Sequence, residues 1–260
     1  MTFLLKQKNW LVLSLGMLVI FVGAWHLLTA GSAGRGLPGP LPVAKTAKEL
    51  LLNPFYDKGP NDKGVGILTL YSIGRLILGF GGGVMVAIIF GVIFGLNNTI
   101  YKAVNPYIQI LKSISPIAWM PLLLYSVKHS GVTALLVVFM ASLWPTLANT
   151  SFGVSNIKKD YINVSKILQL NWFNRLFRVI LPAAGPTIVA GMRISMGSAW
   201  VAIVPAEALL GSFGLGYFVW NEWNNLSLTS VIFAILLIGL VGVVIDIVLN
   251  KIAKRIAYAD

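Results

Sequence analysis

The chain has 260 residues, 57% of them hydrophobic and only 11% charged, with a formal net charge of +12 and no cysteine. A charged share less than half the usual value of about 25% excludes an ordinary soluble domain. Disulfides, thiolate nucleophiles and thiolate metal centres are excluded as well, and with His26 and His129 the only histidines a His-rich metal site is not expected. The basic residues are scattered in short segments between apolar runs. No basic face interleaves with exposed aromatics, so the charge reads as orientation in a membrane and contact with anionic head groups, and no nucleic acid is expected as a partner.

The apolar residues come in blocks of about 20, the length that crosses a bilayer. Six spans are predicted, over 10–30, 68–97, 104–127, 131–154, 183–210 and 229–250. The expected fold is therefore an all-α membrane protein. Residues 1–36 form an N-terminal transmembrane helix, 37–67 an outer loop, and 68–260 a five-helix core that includes an inner loop at 155–182. The first run follows Lys6 and Lys8 and precedes small residues near Ala30, as a secretion signal would. Its apolar stretch is too long for a signal, and Trp10 and Trp25 near its ends suit interface anchors, so a retained helix is expected.

With the N-terminus inside, the inner segments carry 11 basic residues: Lys6, Lys8, Lys102, Lys158, Lys159, Lys166, Arg175, Arg178, Lys251, Lys254 and Arg255. The outer segments carry 6: Arg35, Lys45, Lys48, Lys58, Lys63 and Lys128. That bias sets the orientation. In the first outer loop Pro38-Gly39-Pro40 breaks the chain, and 43–53 is expected to form a short helix on the outer surface. In the second span Gly79/Gly83 and Gly91/Gly95 have the spacing that lets helix backbones approach closely. No GxxxxGK[ST] occurs, so a phosphate-cradling P-loop is not expected in this chain.

The longest inner loop, 157–182, reads as structured. Asp160 can cap a helix on which Val164, Ile167 and Leu168 share one face. Asn171 can take a left-handed turn or cap a second helix from Trp172 to Leu181, and Pro182 interrupts the pattern before the fifth span. Such a hairpin, with an apolar stripe and basic flanks, suits either a partner's groove or a bed of lipid head groups.

The loop resembles the conserved cytoplasmic loop of importer permeases, E-A-A-x3-G-x9-I-x-L-P. Val179-Ile180-Leu181-Pro182 takes its end, Gln169 stands at the Gly, and Asn163-Val164-Ser165 stands at E-A-A. The stretch LPAAGPTIVAGMRISMGSAWVAIVPAEALLGSFGLGYFVWNEWNNLS (181–227), with PIAWMPLLLY (116–125) and LWPTLANTSFGV (143–154), resembles the nitrate/sulfonate/taurine class of ATP-binding-cassette (ABC) importer permeases. WNEWNN (220–225), LPGP (37–40) and NPFYDKG (53–59) look like its nitrate, nitrite and bicarbonate branch. The resemblance implies a type I ABC importer permease fold in a bacterial plasma (inner) membrane, with both termini cytoplasmic and 37–67 periplasmic. It implies no catalytic residue and no cofactor or metal held by this chain, ATP and Mg being bound by partners. Those partners are a second copy of the chain, two ATPase subunits, a periplasmic or lipid-anchored substrate-binding protein, and membrane lipids. A coupling helix falls on Ser165, Lys166, Ile167, Leu168, Gln169, Leu170 and Asn171. The implied cargo is a small oxyanion, nitrate or nitrite, with bicarbonate, cyanate or a sulfonate as alternatives.

Candidates for the substrate path are intramembrane polar or bulky groups. Arg193 lies 11 residues past Pro182, near mid-membrane on this count, where a cation suits an anionic cargo. Glu207 is too far along the same helix to reach it. Trp119, Trp144 and Trp200 fall inside spans and either gate or pack. Lys112 near the inner end of the third span and Arg75 near the outer end of the second are expected to snorkel. Trp220, Glu222 and Trp223 in the last outer loop suit an interface anchor or a binding-protein contact. Two other classes are an ion-coupled carrier that needs no partner and a membrane scaffold without transport. The carrier would show internal repeats, which are not evident, and span carboxylates, of which only Glu207 and Asp246 occur.

Overall fold

The computed structural model describes residues 2–30, 36–59 and 62–257, and the side chains of 12–30, 36–59 and 62–253. Arg35 lies outside the described residues, as do the side chains of Lys6, Lys8, Trp10, Lys254 and Arg255. Eleven α-helices follow one another among the described residues: α1 (Thr2–Ala30), α2 (Pro40–Leu52), α3 (Val65–Leu96), α4 (Asn98–Ser113), α5 (Met120–Val127), α6 (Ser130–Ser155), α7 (Lys159–Ile167), α8 (Trp172–Arg175), α9 (Leu181–Leu210), α10 (Leu215–Asn224) and α11 (Leu228–Ala257). Five helical stretches are long and apolar enough to cross a membrane, and six if the bent pair α4–α5 counts as one span.

The packing core is α3 against α6 against α9. Small residues on α3 recur every fourth position, Gly79, Gly83, Ala87, Gly91 and Gly95, and meet Val138, Ser142, Thr150 and Val154 on α6. A Cβ placed on Gly91 would lie 2.6 Å from the Thr150 Cβ, and one on Gly95 2.6 Å from the Val154 Cβ. The predicted close approach is therefore real, and α6 is its partner. The other side of α6 meets α9 in the same manner: Gly191 lies against Asn149, Gly153 against Thr187, and the hydroxyls of Thr146 and Ser195 are 2.6 Å apart.

Two predicted spans differ from the structure. The third, 104–127, is not one helix: α4 ends at Ser113, a 3-10 turn covers Pro116–Trp119, and the two halves meet at 90°. Proline disfavours helical geometry in the residue before it, and Ile114 (ψ 127°) and Ser115 (ψ 130°) are both extended. The fifth span starts early, because helical structure runs unbroken from Trp172 to Leu210. Pro182 lacks an N–H and its ring needs room, and a π-turn at Leu176–Ile180 just before it widens the backbone there.

The short helix expected at 43–53 is α2, and its Val43 is buried against the core. α1 is joined to the chain that follows it by the Trp25 indole, which donates to the Pro38 carbonyl at 3.2 Å. Much of the rest of α1 is bare, with Leu13, Met17, Ile20 and Leu27 exposed.

Candidate functional site

Two constructions stand out, one at each end of the bundle. The first is the hairpin between the ends of α6 and α9. Asp160 lies in the first turn of α7 and does not cap it, since Lys158 holds the cap position. The carboxylate still faces the positive end of the helix dipole. Val164, Ile167 and Leu168 form the predicted stripe and are 53%, 78% and 63% exposed. Of the seven implied coupling residues, Ser165 is fully buried: its Oγ donates to the Ile162 carbonyl at 2.7 Å, and its own carbonyl accepts from Leu170 N at 3.1 Å. Ser165 and half-buried Leu170 therefore hold the hairpin closed, while Lys166, Ile167, Leu168, Gln169 and Asn171 face outward.

The turn itself falls at Gln169, whose φ is +50°. Asn171 is extended (φ −63°, ψ 166°), so it does not make the left-handed turn. It does cap α8, its Oδ1 accepting from Asn174 N at 2.9 Å. Left-handed geometry costs a residue with a Cβ roughly 1 kcal/mol or more. Gln169→Gly is therefore expected to stabilise the hairpin by about 1 kcal/mol, seen as roughly fivefold slower amide exchange over 159–175.

The second construction lies at the opposite end. Arg75 on α3 donates from Nη1 to Glu207 Oε1 at 2.8 Å and also to the Phe213 carbonyl. The Ser72 hydroxyl lies 2.7 and 3.0 Å from the two Glu207 oxygens and accepts from Leu215 N at 2.9 Å. Gly216 N donates to Glu207 Oε2 at 3.1 Å. Glu207 thus caps the start of α10 from another helix, and Ser72 helps it. Gly214 must lack a side chain because a Cβ there would fall on the Glu207 carboxylate. Arg75 consequently does not snorkel, and Glu207, fully buried, does not line a path.

Loop 53–64 packs beside this cluster. Lys63 pairs with Asp57 and lies over the Phe213 ring, 6.0 Å from its centroid. The Lys63 hydrogen bond, and then the Gly59 N–H, hold the Asp57 carboxyl below its ordinary pKa. Burial, and then a hydrogen bond with Asp62, push the Tyr56 phenol up. Glu222 is half-buried in the same cleft with Tyr56, Asp62 and Asn221, whereas Trp220 and Trp223 are exposed.

The remaining path candidates separate. Arg193 is exposed on α9, with no hydrogen bond or ion pair among the described residues. Its neighbours Gly191 and Ser195 meet Thr146 and Asn149, which puts it level with that part of α6. That is about eight residues, or ~12 Å, from the end of α6 at Ser155. Arg193 therefore lies in the half nearer the hairpin, not at mid-span. Trp200 is only 9% exposed and its indole covers Gly242 of α11, so it packs and does not line a path. Trp144 is half-buried in the cluster of Ala87, Ile108, Leu147 and Ala148. Trp119 stands half-buried on the 3-10 turn, and the indole N–H groups of Trp119 and Trp144 are both buried without a partner among the described residues.

Residues 83–258 match the family described as the inner membrane component of binding-protein-dependent transport systems. The chain belongs to this family. It is 36% identical to the nitrate import permease protein NrtB of Synechocystis over 88% of this chain and 83% of that one. It is equally 36% identical to the bicarbonate transport system permease protein CmpB of Synechococcus elongatus, over 93% and 88%. A chain of the inward-facing MetNI methionine ABC transporter shares the fold, with a TM-score of 0.62 at 16% identity over 72% of this chain and 93% of that one. As a permease of this family, the chain has the type I importer fold. The reading as a multi-pass membrane component of an ABC importer holds. The ion-coupled carrier and the scaffold are set aside by the family match.

Proposed function

We propose that this permease carries a small planar oxyanion, nitrate first, through an assembly of two copies of itself driven by two ATPase subunits and fed by a substrate-binding protein. The observation that carries this reading is its even similarity, along nearly its whole length, to nitrate and bicarbonate permeases. Bicarbonate is the second reading, favoured by the equal identity to CmpB. The outward face of α9, where Ala183, Pro186, Ala190 and Gly197 surround Arg193, supports a second helix passing close by and a cation beside the route. The exposed stripe Val164–Ile167–Leu168 supports a partner groove over a lipid bed, because these side chains stand clear of the rest of the fold. The basic bias supports a cytoplasmic hairpin and cytoplasmic termini in a bacterial inner membrane. Trp220 and Trp223, at the other end, then await the binding protein.

Reconstitution in liposomes with the cognate ATPases and binding protein tests this. ATP-dependent uptake of labelled nitrate is expected. Bicarbonate uptake without nitrate uptake would select the second reading, and uptake of a neutral solute alone would overturn both. In the same assay Leu168→Asp is expected to weaken ATPase attachment by about 2 kcal/mol, roughly thirtyfold in affinity, with the bundle still folded. Undiminished co-purification and uptake in that variant would remove the docking role from the stripe.

A further inference from the structure

α4 presents three faces. Ile108 is buried, with half-buried Tyr101, Val104 and Leu111 beside it. Ala103, Tyr107 and Ile110 form an exposed, mainly apolar face suited to lipid. Between them runs a polar stripe, Lys102, Asn105, Gln109 and Lys112, spaced three, four and three residues apart and so aligned along one side of the helix. Gln109 Nε2 donates to Asn105 Oδ1 at 3.2 Å; the remaining donors of both amides and of both lysines have no protein partner among the described residues.

This stripe is deep. Ile108 packs with Ala87, Leu147 and Ala148, at the level already assigned to Arg193. Lys112 is one turn, about 6 Å, farther from the hairpin end, which brings it close to the middle of the 26-residue α6. It cannot reach the nearer membrane surface as the sequence position suggested. Its charge is uncompensated: no Asp or Glu occurs from residue 63 to 159, Glu207 is tied to Arg75, and Asp246 accepts from Asn250 at 2.8 Å. The carbonyl end of α4 favours a lysine in its last turn, but that does not account for two amides placed below it. In hydrocarbon each unpaired amide would cost several kcal/mol, and α4 already presents a separate face to lipid.

We propose that Asn105, Gln109 and Lys112 line the aqueous route of the transported anion, and that Lys112 is the charge that selects an anion over neutral or cationic solutes. The stripe ends at the extended break, Ile114–Ser115, where α4 gives way to the 3-10 turn. The selectivity role rests on the importer reading above, whereas the presence of water along the stripe does not.

Because this chain carries no cysteine, a single introduced one can be followed on its own band after labelling the assembled complex in native membranes. Single variants Gln109→Cys, Ile108→Cys and Tyr107→Cys are treated with water-soluble methanethiosulfonates, one anionic (ethylsulfonate) and one cationic (ethyltrimethylammonium). Gln109→Cys is expected to react, with the anionic reagent favoured about tenfold relative to the ratio for a free thiol. That preference is expected to vanish when Lys112→Gln is added. Ile108→Cys and Tyr107→Cys are expected to stay unreactive. An unreactive Gln109→Cys would mean that the stripe is sealed by protein or lipid, and would overturn the proposal. A ratio of the two rates no different from that of a free thiol would remove the selecting role from Lys112. In the transport assay Lys112→Gln is expected to lower uptake at sub-saturating anion about tenfold while Lys112→Arg keeps it, and unchanged uptake in Lys112→Gln would count against selection. A wild-type complex that moves neither nitrate nor bicarbonate would sink the importer reading and leave the labelling result standing by itself.

Discussion

Replacing Glu207 by alanine is expected to cost about 3–5 kcal/mol, enough to remove most folded protein from the membrane. The carboxylate is fully buried and serves Arg75, Ser72 and the Gly216 N–H together. Its loss strands Arg75, whose side chain is only 15% exposed, and leaves the start of α10 without its charged cap. The same change loosens the link among α3, α9 and α10, because each contributes a donor or an acceptor to this one cluster. Thermal unfolding of the purified permease, followed by monodispersity in detergent, measures the loss.

Glu207→Gln should cost less, since the amide oxygen can still accept from Gly216 N while the charge on Arg75 goes unanswered. The diagnostic variant is the double exchange Arg75→Met/Glu207→Gln. A buried ion pair is weak evidence for net stability, and removing both charges is often close to neutral. Recovery of at least half of the Glu207→Ala loss is expected. A double variant as unstable as Glu207→Ala would mean that Arg75, with its charge and its bonds to Glu207 and the Phe213 carbonyl, and not the hydrogen bonds that an amide oxygen retains, holds this end together.

How far these features were legible follows from the kind of signal each leaves. The hairpin was legible because its information is local: apolar residues at 164, 167 and 168 and a capping Asn171 lie within one short stretch. The glycine spacing on α3 was legible for the same reason, although the sequence did not name α6 as the partner. The Arg75–Glu207 pair joins residues 132 apart, and no periodicity connects them. The signal available was depth, since each lies near the outer end of its predicted span, so two opposite charges at one level could have been matched. The break in the third span was marked by Ser115-Pro116 but was masked by a continuous apolar run on either side. The polar stripe of α4 was present as a spacing of three and four, yet reading 104–127 as one uniform span hid it, and Lys112 was then placed near a surface that it does not reach. Trp200 illustrates the opposite limit: nothing in its neighbours distinguishes a pore-lining indole from one that covers a glycine on α11.

The second large effect is expected from Gly91→Leu. A side chain at this position begins 2.6 Å from the Thr150 Cβ and 2.7 Å from its Cγ2, and both helices are already at their closest approach. Leucine adds three further carbons beyond that collision, so α3 and α6 must separate along a seam of five small residues from Gly79 to Gly95. Overpacking usually costs about 1–3 kcal/mol where side chains can shift. Here the obstruction is a β-branched residue in the facing helix, and about 3 kcal/mol or more is expected. The control is Gly81, where a Cβ would meet nothing within 4 Å and which is exposed. Because alanine is the better helix former by up to about 1 kcal/mol, Gly81→Ala should be neutral or slightly stabilising whereas Gly91→Ala should destabilise. Thermal midpoints of the four variants in one detergent separate the two effects. If Gly81→Leu and Gly91→Leu fell together, helix propensity or lipid fit would be the cause, and the interlocked α3–α6 seam would not be what holds the permease core in register.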